Sequence, residues 1–485
     1  MNKLTYRWKA LILAVVLTFM VSLPVYAAED EDQMLLDANQ FRVLEVIQLL
    51  EKLHVSGVDT KKLSEASIEG MIEALDDPYT NFMTAEQWNS FQNTIDQQYT
   101  GLGIVITKED HGVKIDRIIA GSPAEAVGLL AGDYVMAVNG QSTKDKSLDE
   151  VVALIPKKES DEVELSIRRG EEIKQIKASV HKVTLPVVTS ELLDGGVGYI
   201  GLSMFSSESA SEFAQVMDKW KDEPIQALII DLRDNPGGLL TSAVGIAKHF
   251  IKDGVLLYTV DSSGEKEEVK VSHGSEVGYP VVLLVNEDSA SASEILTAGL
   301  RDHGKAAAIV GAKTFGKGSV QASYELSDGS YLKITIEEYL TPKSDKVNGV
   351  GITPDIEVEG AIPQLLAALK ATGVQAITIN QAEGKPVVIN GTEFAGQVPV
   401  LREEGKTFVH SRILASLAGG TIQWNSEQQS VDMKIGEQAV SFALGTDMRM
   451  KEDVTYIELD AFKPFVTGLQ WSDTDGQLTL SLSGK

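Results

Sequence analysis

Two uninterrupted apolar runs constrain this chain more than any other feature. They are "ALII" at 227–230 and "VVLLV" at 281–285, which lead into the turns "DLRDNPGG" and "NEDSASAS". A strand that is apolar at every position has no face to offer water, so it belongs inside a sheet covered on both sides. The stretches "SASEFAQVMDKWKD", "LLTSAVGIAKHFI" and "SASEILTAGLRDH" read as the helices that cover it. Further on, "AAAIVGAKTFGKGSVQ" and "SYLKITIEEYLTP" are strand-rich. Residues 187–375 therefore read as one α/β domain.

At 485 residues the chain exceeds one ordinary core. Residues 28–98 read helical, with Val43, Val46, Ile47, Leu50 and Leu53 on one stripe of "FRVLEVIQLLEKLH" and a turn at Asp77-Pro78 in "DDPYTNFM". Residues 99–186 run from a glycine-punctuated strand, "YTGLGIVITKED", through turns and a short helix. An amphipathic helix, "SLDEVVALI", follows with Leu148, Val151, Val152 and Ile155 on its apolar side, then paired strands. Residues 376–485 contain a repeat: "TFVHSRILASLAGGTIQW" aligns with "TYIELDAFKPFVTGLQW". Two strand–helix–strand copies predict one small pseudo-twofold domain, separate from what precedes it.

The net charge of −27 argues against nucleic-acid partners, which reward basic surfaces. The chain has no cysteine, which excludes disulfides, cysteine nucleophiles and thiolate metal sites. Lys3, Arg7 and Lys9 precede an apolar run at 10–23 and the small-residue site "VYAA". That is the layout of a secretory signal at 1–27, so a secreted or extracytoplasmic protein is expected, with the segment either cleaved or kept as a membrane anchor.

In "SASASE" (289–294), Ser291 and Glu294 fit the S-x-x-E capping box. The same position, a turn from strand into helix, suits a nucleophile, because the helix N-terminus favours a developing negative charge. "TFGKGSVQ" sets Lys317 in a glycine turn beside Phe315 and Val320. An amine serves as general base near neutrality only if burial lowers its pKa, and this turn is a plausible place to bury one. Gln321 lies an even number of residues on, where a strand would put it on the face of Lys317. Lys313 competes as base but reads as exposed. The turn at Gly237 and Gly238 can present a backbone N–H to an oxyanion, while Asp231 and Arg233 fix that turn. A serine–histidine–carboxylate site would have to use His303, about three turns along the helix from Ser291.

Taken together, "DDPYTNFM", "DLRDNPGG", "SASASEI", "TFGKGSVQ" and "YLTPKSDKVNGVGITPDIEV" resemble, in order, the carboxyl-terminal processing (tail-specific) serine proteases, and residues 99–186 resemble their PDZ domain. The serine-to-lysine spacing is one residue longer than usual in that family, with the extra residue in "RDHGKAAAIV". The resemblance implies a crotonase-like ββα core with a helical N-terminal region. It makes Ser291 the nucleophile, Lys317 its base and Gln321 the partner that orients the lysine. The N–H groups of Ala292 and Gly237 become the oxyanion donors, and no metal or cofactor is required. It implies that Gly101, Leu102, Gly103 and Ile104 receive the C-terminus of a protein or peptide with apolar last residues, that Arg168 or Arg169 contacts the active site in one state, and that the protein is a homodimer. Residues 376–485 resemble the copper amine oxidase N-terminal-like domain of secreted bacterial proteins. His410 is the only histidine there, so no copper site is expected, and attachment to membrane or cell wall is the role left open. The competing function is a non-enzymatic PDZ adaptor or cell-surface binding protein.

Overall fold

The computed structural model describes residues 38–109, 112–374 and 376–483, together with the two-residue strand Thr18–Phe19. Apart from that pair, the expected secretory signal lies outside the described residues. Among the described residues no helix is long and apolar enough to cross a membrane. The chain forms two compact units: Asn89–Val187, and the residues on either side of it.

The larger unit is organised by a sheet in the order Val188–Leu193, Val197–Leu202, Ala227–Asp231, Val281–Val285, Ala306–Gly311, Ile356–Glu357. Its first pair is antiparallel and the rest are parallel. The two apolar runs of the sequence are the adjacent central strands, buried at every position. Because they run parallel, the turns that follow them emerge side by side at one end of the sheet, where open α/β sheets place their sites. Helix Ala292–Asp302 is buried from Ala292 to Leu300, and helix Leu240–Ala247 packs beside it. A second sheet contains the antiparallel run Ser319–Glu325, Tyr331–Leu340, Gly254–Asp261, Lys266–Val271. Strand Asn81–Met83, just after the Asp77-Pro78 turn, pairs with Tyr331–Leu340, so the N-terminal region is woven into this sheet.

The repeat in the tail is real. Lys406–His410, Ser411–Ala418 and Thr421–Asn425 match Val454–Glu458, Leu459–Phe462 and Leu469–Thr474. The two leading strands pair with each other, Val409 opposite Ile457. The second helix is shorter and passes into a 3-10 turn at Lys463–Phe465, since Pro464 cannot continue an α-helix. The tail packs closely on what precedes it. Helix Ala361–Ala371 is buried all round, packed between the parallel sheet and helix Ser411–Ala418, and one apolar cluster runs from Ile229 and Leu284 through Leu366 to Leu414 and Phe462. A helix without a polar stripe must be covered on every side, and here the tail supplies half the cover.

Unit Asn89–Val187 has its own core around Val113, Ile115, Leu165 and Ile167. Its antiparallel sheet runs Ile104–Glu109, Gly112–Ile118, Tyr134–Val138, Glu162–Arg169, Glu172–Ser179. Helix Leu148–Val152 opens with a capping box, Glu150 N–H donating to Ser147 Oγ and Ser147 N–H to the Glu150 carboxylate. Its expected apolar side divides: Val151 enters the core, while Val152 and Ile155 line a groove. The stripe expected on helix Ala38–Leu53 is present but uncovered, with Val43, Val46, Leu50 and Leu53 exposed alongside Phe41 and Leu49.

Candidate active site

The two turns at the end of the parallel sheet are stitched together by the serines of SASASE. Ser289 Oγ donates to the Leu232 carbonyl at 2.7 Å, Ser293 Oγ to the Asn235 carbonyl at 2.9 Å, and the Ala290 N–H to that same carbonyl at 3.1 Å. Asp231 and Arg233 brace the first turn, as expected. Arg233 pairs with the Asp231 carboxylate and reaches the Ala361 carbonyl at 2.8 Å, and Tyr199 Oη donates to Asp231 at 2.7 Å.

Ser291 is fully buried and sits between strand and helix with φ 58° and ψ −114°. A non-glycine residue there is strained by about 1–3 kcal/mol, and such strain persists only where neighbours over-determine it. Here a carboxylate and a phenol do so. Glu294 accepts from Ser291 N–H at 2.8 Å, Lys317 N–H at 2.9 Å, Gly316 N–H at 2.7 Å and Thr314 Oγ1 at 2.6 Å. Tyr339 Oη lies 2.9 Å from the Lys317 carbonyl and 3.2 Å from the Ser291 carbonyl, its single proton shared between them. Two side chains thus hold both candidate catalytic segments by their backbones. Burial pushes the Glu294 carboxyl up, and the four donors pull it back down without cancelling the shift. The capping box is half formed: Glu294 takes the Ser291 N–H, but Ser291 Oγ has no hydrogen-bond partner among the described residues.

Lys317 is 1% exposed, and its Nζ donates to Gln321 Oε1 at 2.8 Å. Gln321 Nε2 donates in turn to Ser319 Oγ at 2.9 Å and Thr335 Oγ1 at 3.0 Å, which sets the amide's orientation. Burial and, after it, the Lys333 charge lower the Lys317 amine, Glu294 and Asp77 partly offset both, and the net is about 7. Two details differ from expectation. Strand Ser319–Glu325 begins after Lys317, so the bond to Gln321 spans a turn rather than one strand face. Phe315 is 46% exposed and does not bury the amine; the Tyr79 ring covers it, 4.8 Å from Nζ. Lys313 is exposed, as expected.

Ala292 begins the helix, and its N–H has no acceptor in the protein among the described hydrogen bonds. Gly237 approaches closely. A Cβ there would lie 2.7 Å from Ser291 Cβ and 3.0 Å from Ala292 N, and φ is +104°, so only glycine fits. Its N–H, however, donates to Asn235 Oδ1 at 2.9 Å, so the expected second oxyanion donor is engaged by an Asx turn in this structure. His303 caps the far end of helix Ala292–Asp302, its Nε2 2.8 Å from the Val255 carbonyl, and does not join Ser291.

In the smaller unit, Gly101, Leu102, Gly103 and Ile104 line one groove of about 350 Å³ with Ile106, Val152 and Ile155. Gly103 has φ +79°, and a Cβ there would collide with Ser122. The Tyr99 ring lies over Gly101, and its hydroxyl hydrogen-bonds the Gly103 backbone. Arg169 pairs with the buried Asp133, and the Arg168 guanidinium stacks over Tyr134. Neither arginine is left bare by its own unit.

Residues 196–358 match the model of peptidase family S41. Residues 114–169 match a PDZ domain, 22–87 the activating protease CtpB N-terminal domain, and 388–463 the copper amine oxidase N-terminal domain. The core of the chain therefore belongs to peptidase family S41. The chain carries a PDZ match beside that core, and the curated relatives it matches are named CtpA-like serine proteases. A "Probable CtpA-like serine protease" of Staphylococcus aureus strain N315 is 36% identical over 325 residues, 66% of this chain and 65% of its own. Its namesake in Staphylococcus haemolyticus strain JCSC1435 is 38% identical over 62% of this chain and 61% of its own. The chain thus spans just under two thirds of these curated relatives. Among solved structures, a photosystem II D1 C-terminal processing protease is 27% identical, covering 67% of this chain and 94% of that one at a TM-score of 0.40.

Four contributors to the site escape a reading of the sequence alone: Asn235, Tyr339, Tyr79 and Lys333. Glu294 was legible only as a helix cap, because three of its four donors come from 314–317, beyond any local motif. For Lys333 a signal exists. It is a lysine in line with Thr335 on a strand otherwise half-buried, where a charge is costly.

Proposed function

We propose that this chain is an exported serine endopeptidase that cleaves proteins presented by their C-termini, with Ser291 as nucleophile and Lys317 as general base. The observation that carries the reading is a fully buried lysine amine, lowered to about 7, on a segment clamped to that of a strained, unpartnered serine by Glu294 and Tyr339. Neutral Lys317 swings from Gln321 to take the Ser291 Oγ proton as that oxygen attacks the scissile carbonyl. The Ala292 N–H at the helix start stabilises the oxyanion, joined by the Gly237 N–H once its bond to Asn235 is released. Lys317 then gives its proton to the leaving amine. The C–N bond breaks, and water, deprotonated by the same amine, cleaves the acyl-enzyme.

The groove at 101–104 supports the choice of substrate. Backbone N–H groups in a glycine loop suit a carboxylate, a sheet edge suits an added strand, and Ile106, Val152 and Ile155 suit an apolar last residue. The uncovered stripe on helix Ala38–Leu53 supports a homodimer, since contiguous apolar surface of this kind marks an interface. Export rests on the signal-like segment 1–27.

The test is incubation of the full chain with an unstructured peptide ending in alanine or valine, read by mass spectrometry. Fragments made by the wild type and absent with Ser291→Ala support the reading. Binding without cleavage by the wild type overturns it in favour of an adaptor.

A further inference from the structure

Lys317 has a second buried amine on its side of the sheet. Lys333 is 1% exposed. Its strand pairs with Ser319–Glu325 so that Gln321 lies opposite Thr335. Residues 333 and 335 share a strand face, and Thr335 Oγ1 accepts from Gln321 Nε2 at 3.0 Å. Lys333 therefore stands on the face that carries the Gln321–Lys317 hydrogen bond. The N-terminal turn closes that face. Asn81 is paired with Lys333 across the strands. Thr80 Oγ1 accepts from Thr335 N–H at 3.2 Å and donates to Asp77 at 2.6 Å. Asp77 also accepts from Tyr79 N–H at 3.0 Å, and the Tyr79 ring covers Lys317.

A fully buried lysine is costly, and hydrolysis by Ser291 and Lys317 makes no direct use of this one. We propose that Lys333 is a positioning residue for Lys317: its ammonium repels a proton on the neighbouring amine and keeps that amine free to accept the Ser291 proton near neutrality. The inference rests on Lys317 being the base, as proposed above. The directions agree. After burial, Lys333 is the next cause lowering Lys317 to about 7, while Glu294 and Asp77 act the other way. Burial lowers Lys333 too, and Asp77 of the N-terminal turn holds it up, which favours the proton resting on Lys333. The groups that face Lys317 are Glu294 from the helix, Asp77 and Tyr79 from the turn, and Lys333 and Tyr339 from the strand.

The test is kcat/KM against pH for the full chain and for Lys333→Met and Lys333→Gln, with folding checked by thermal melting. The acid limb should move to higher pH, losing about tenfold at low pH for each unit moved, while the alkaline plateau stays within about twofold. A folded variant whose acid limb does not move overturns the proposal. If neither variant folds, lysine ¹⁵N NMR titration of the wild type decides: Lys333 must keep its proton where Lys317 loses it, and the reverse order overturns the proposal. Lys317→Ala separates the two claims. Activity surviving in that variant removes the base, whatever Lys333 does.

Discussion

The cleft around Ser291 and the groove beside Gly101 use the same device, a glycine turn against a strand, to opposite ends. In the cleft, side chains are buried and bound to one another: Glu294 takes four donors, Gln321 three partners, and Tyr339 two carbonyls. In the groove the glycine backbone carries the chemistry, and Ile106, Val152 and Ile155 supply apolar wall. A site of the first kind should fail on the loss of one charge. One of the second kind should tolerate side-chain changes until a Cβ blocks the backbone.

The sharpest way to break the contrast is at the cleft. Ser291→Ala and Lys317→Ala should each lower kcat/KM by about 10³-fold or more, measured with the unstructured peptide, while the thermal melt stays cooperative. Glu294→Gln should come next, because it removes the charge that four donors share. A loss of about 1.5–3 kcal/mol in unfolding free energy is expected, with activity falling about 10²-fold as the Ser291 and Lys317 backbones lose their common anchor. On the groove side, Gly103→Val places a Cβ against Ser122 at φ +79°. Cleavage of a substrate carrying an apolar C-terminal tail should drop about tenfold, while cleavage of a short peptide whose C-terminus is amidated should hold within about twofold. Equal losses on both substrates would erase the distinction between cleft and groove. His303→Ala should be smallest. Loss of its bond to Val255 costs about 1 kcal/mol of stability and leaves kcat/KM within about twofold.

The same contrast explains what was readable in the chain beforehand. Continuous apolar strands announce themselves, and Ala227–Asp231 and Val281–Val285 are adjacent in the sheet as the pattern implies. Lys317 and Gln321 were legible because they are close in sequence, although a turn and not the expected strand face joins them, and the groove because glycines mark it. The remainder depends on long-range packing. Tyr79 and Lys333 enter through pairing between strands far apart in sequence, Asn81 with Lys333. Phe315 looked like cover for the lysine only because it is its sequence neighbour. The packing of the tail is long-range too: its repeat is visible in the chain, but that it walls helix Ala361–Ala371 is not.

The pH behaviour follows from the buried amine. Below about 7 Lys317 gains a proton and cannot act as base, so kcat/KM should fall about tenfold per pH unit on the acid side. The folded pKa lies below the ordinary lysine value, so the neutral amine also favours folding increasingly from about pH 7 up to that ordinary value of about 10.4.

The most direct measurement is the charge of that amine itself. A ¹⁵N NMR titration of Lys317 Nζ in the Ser291→Ala protein, assigned by comparison with the same protein carrying Lys317→Arg, should show it losing its proton near pH 7. An amine that stays protonated through pH 10 would contradict the account of Lys317 as the base.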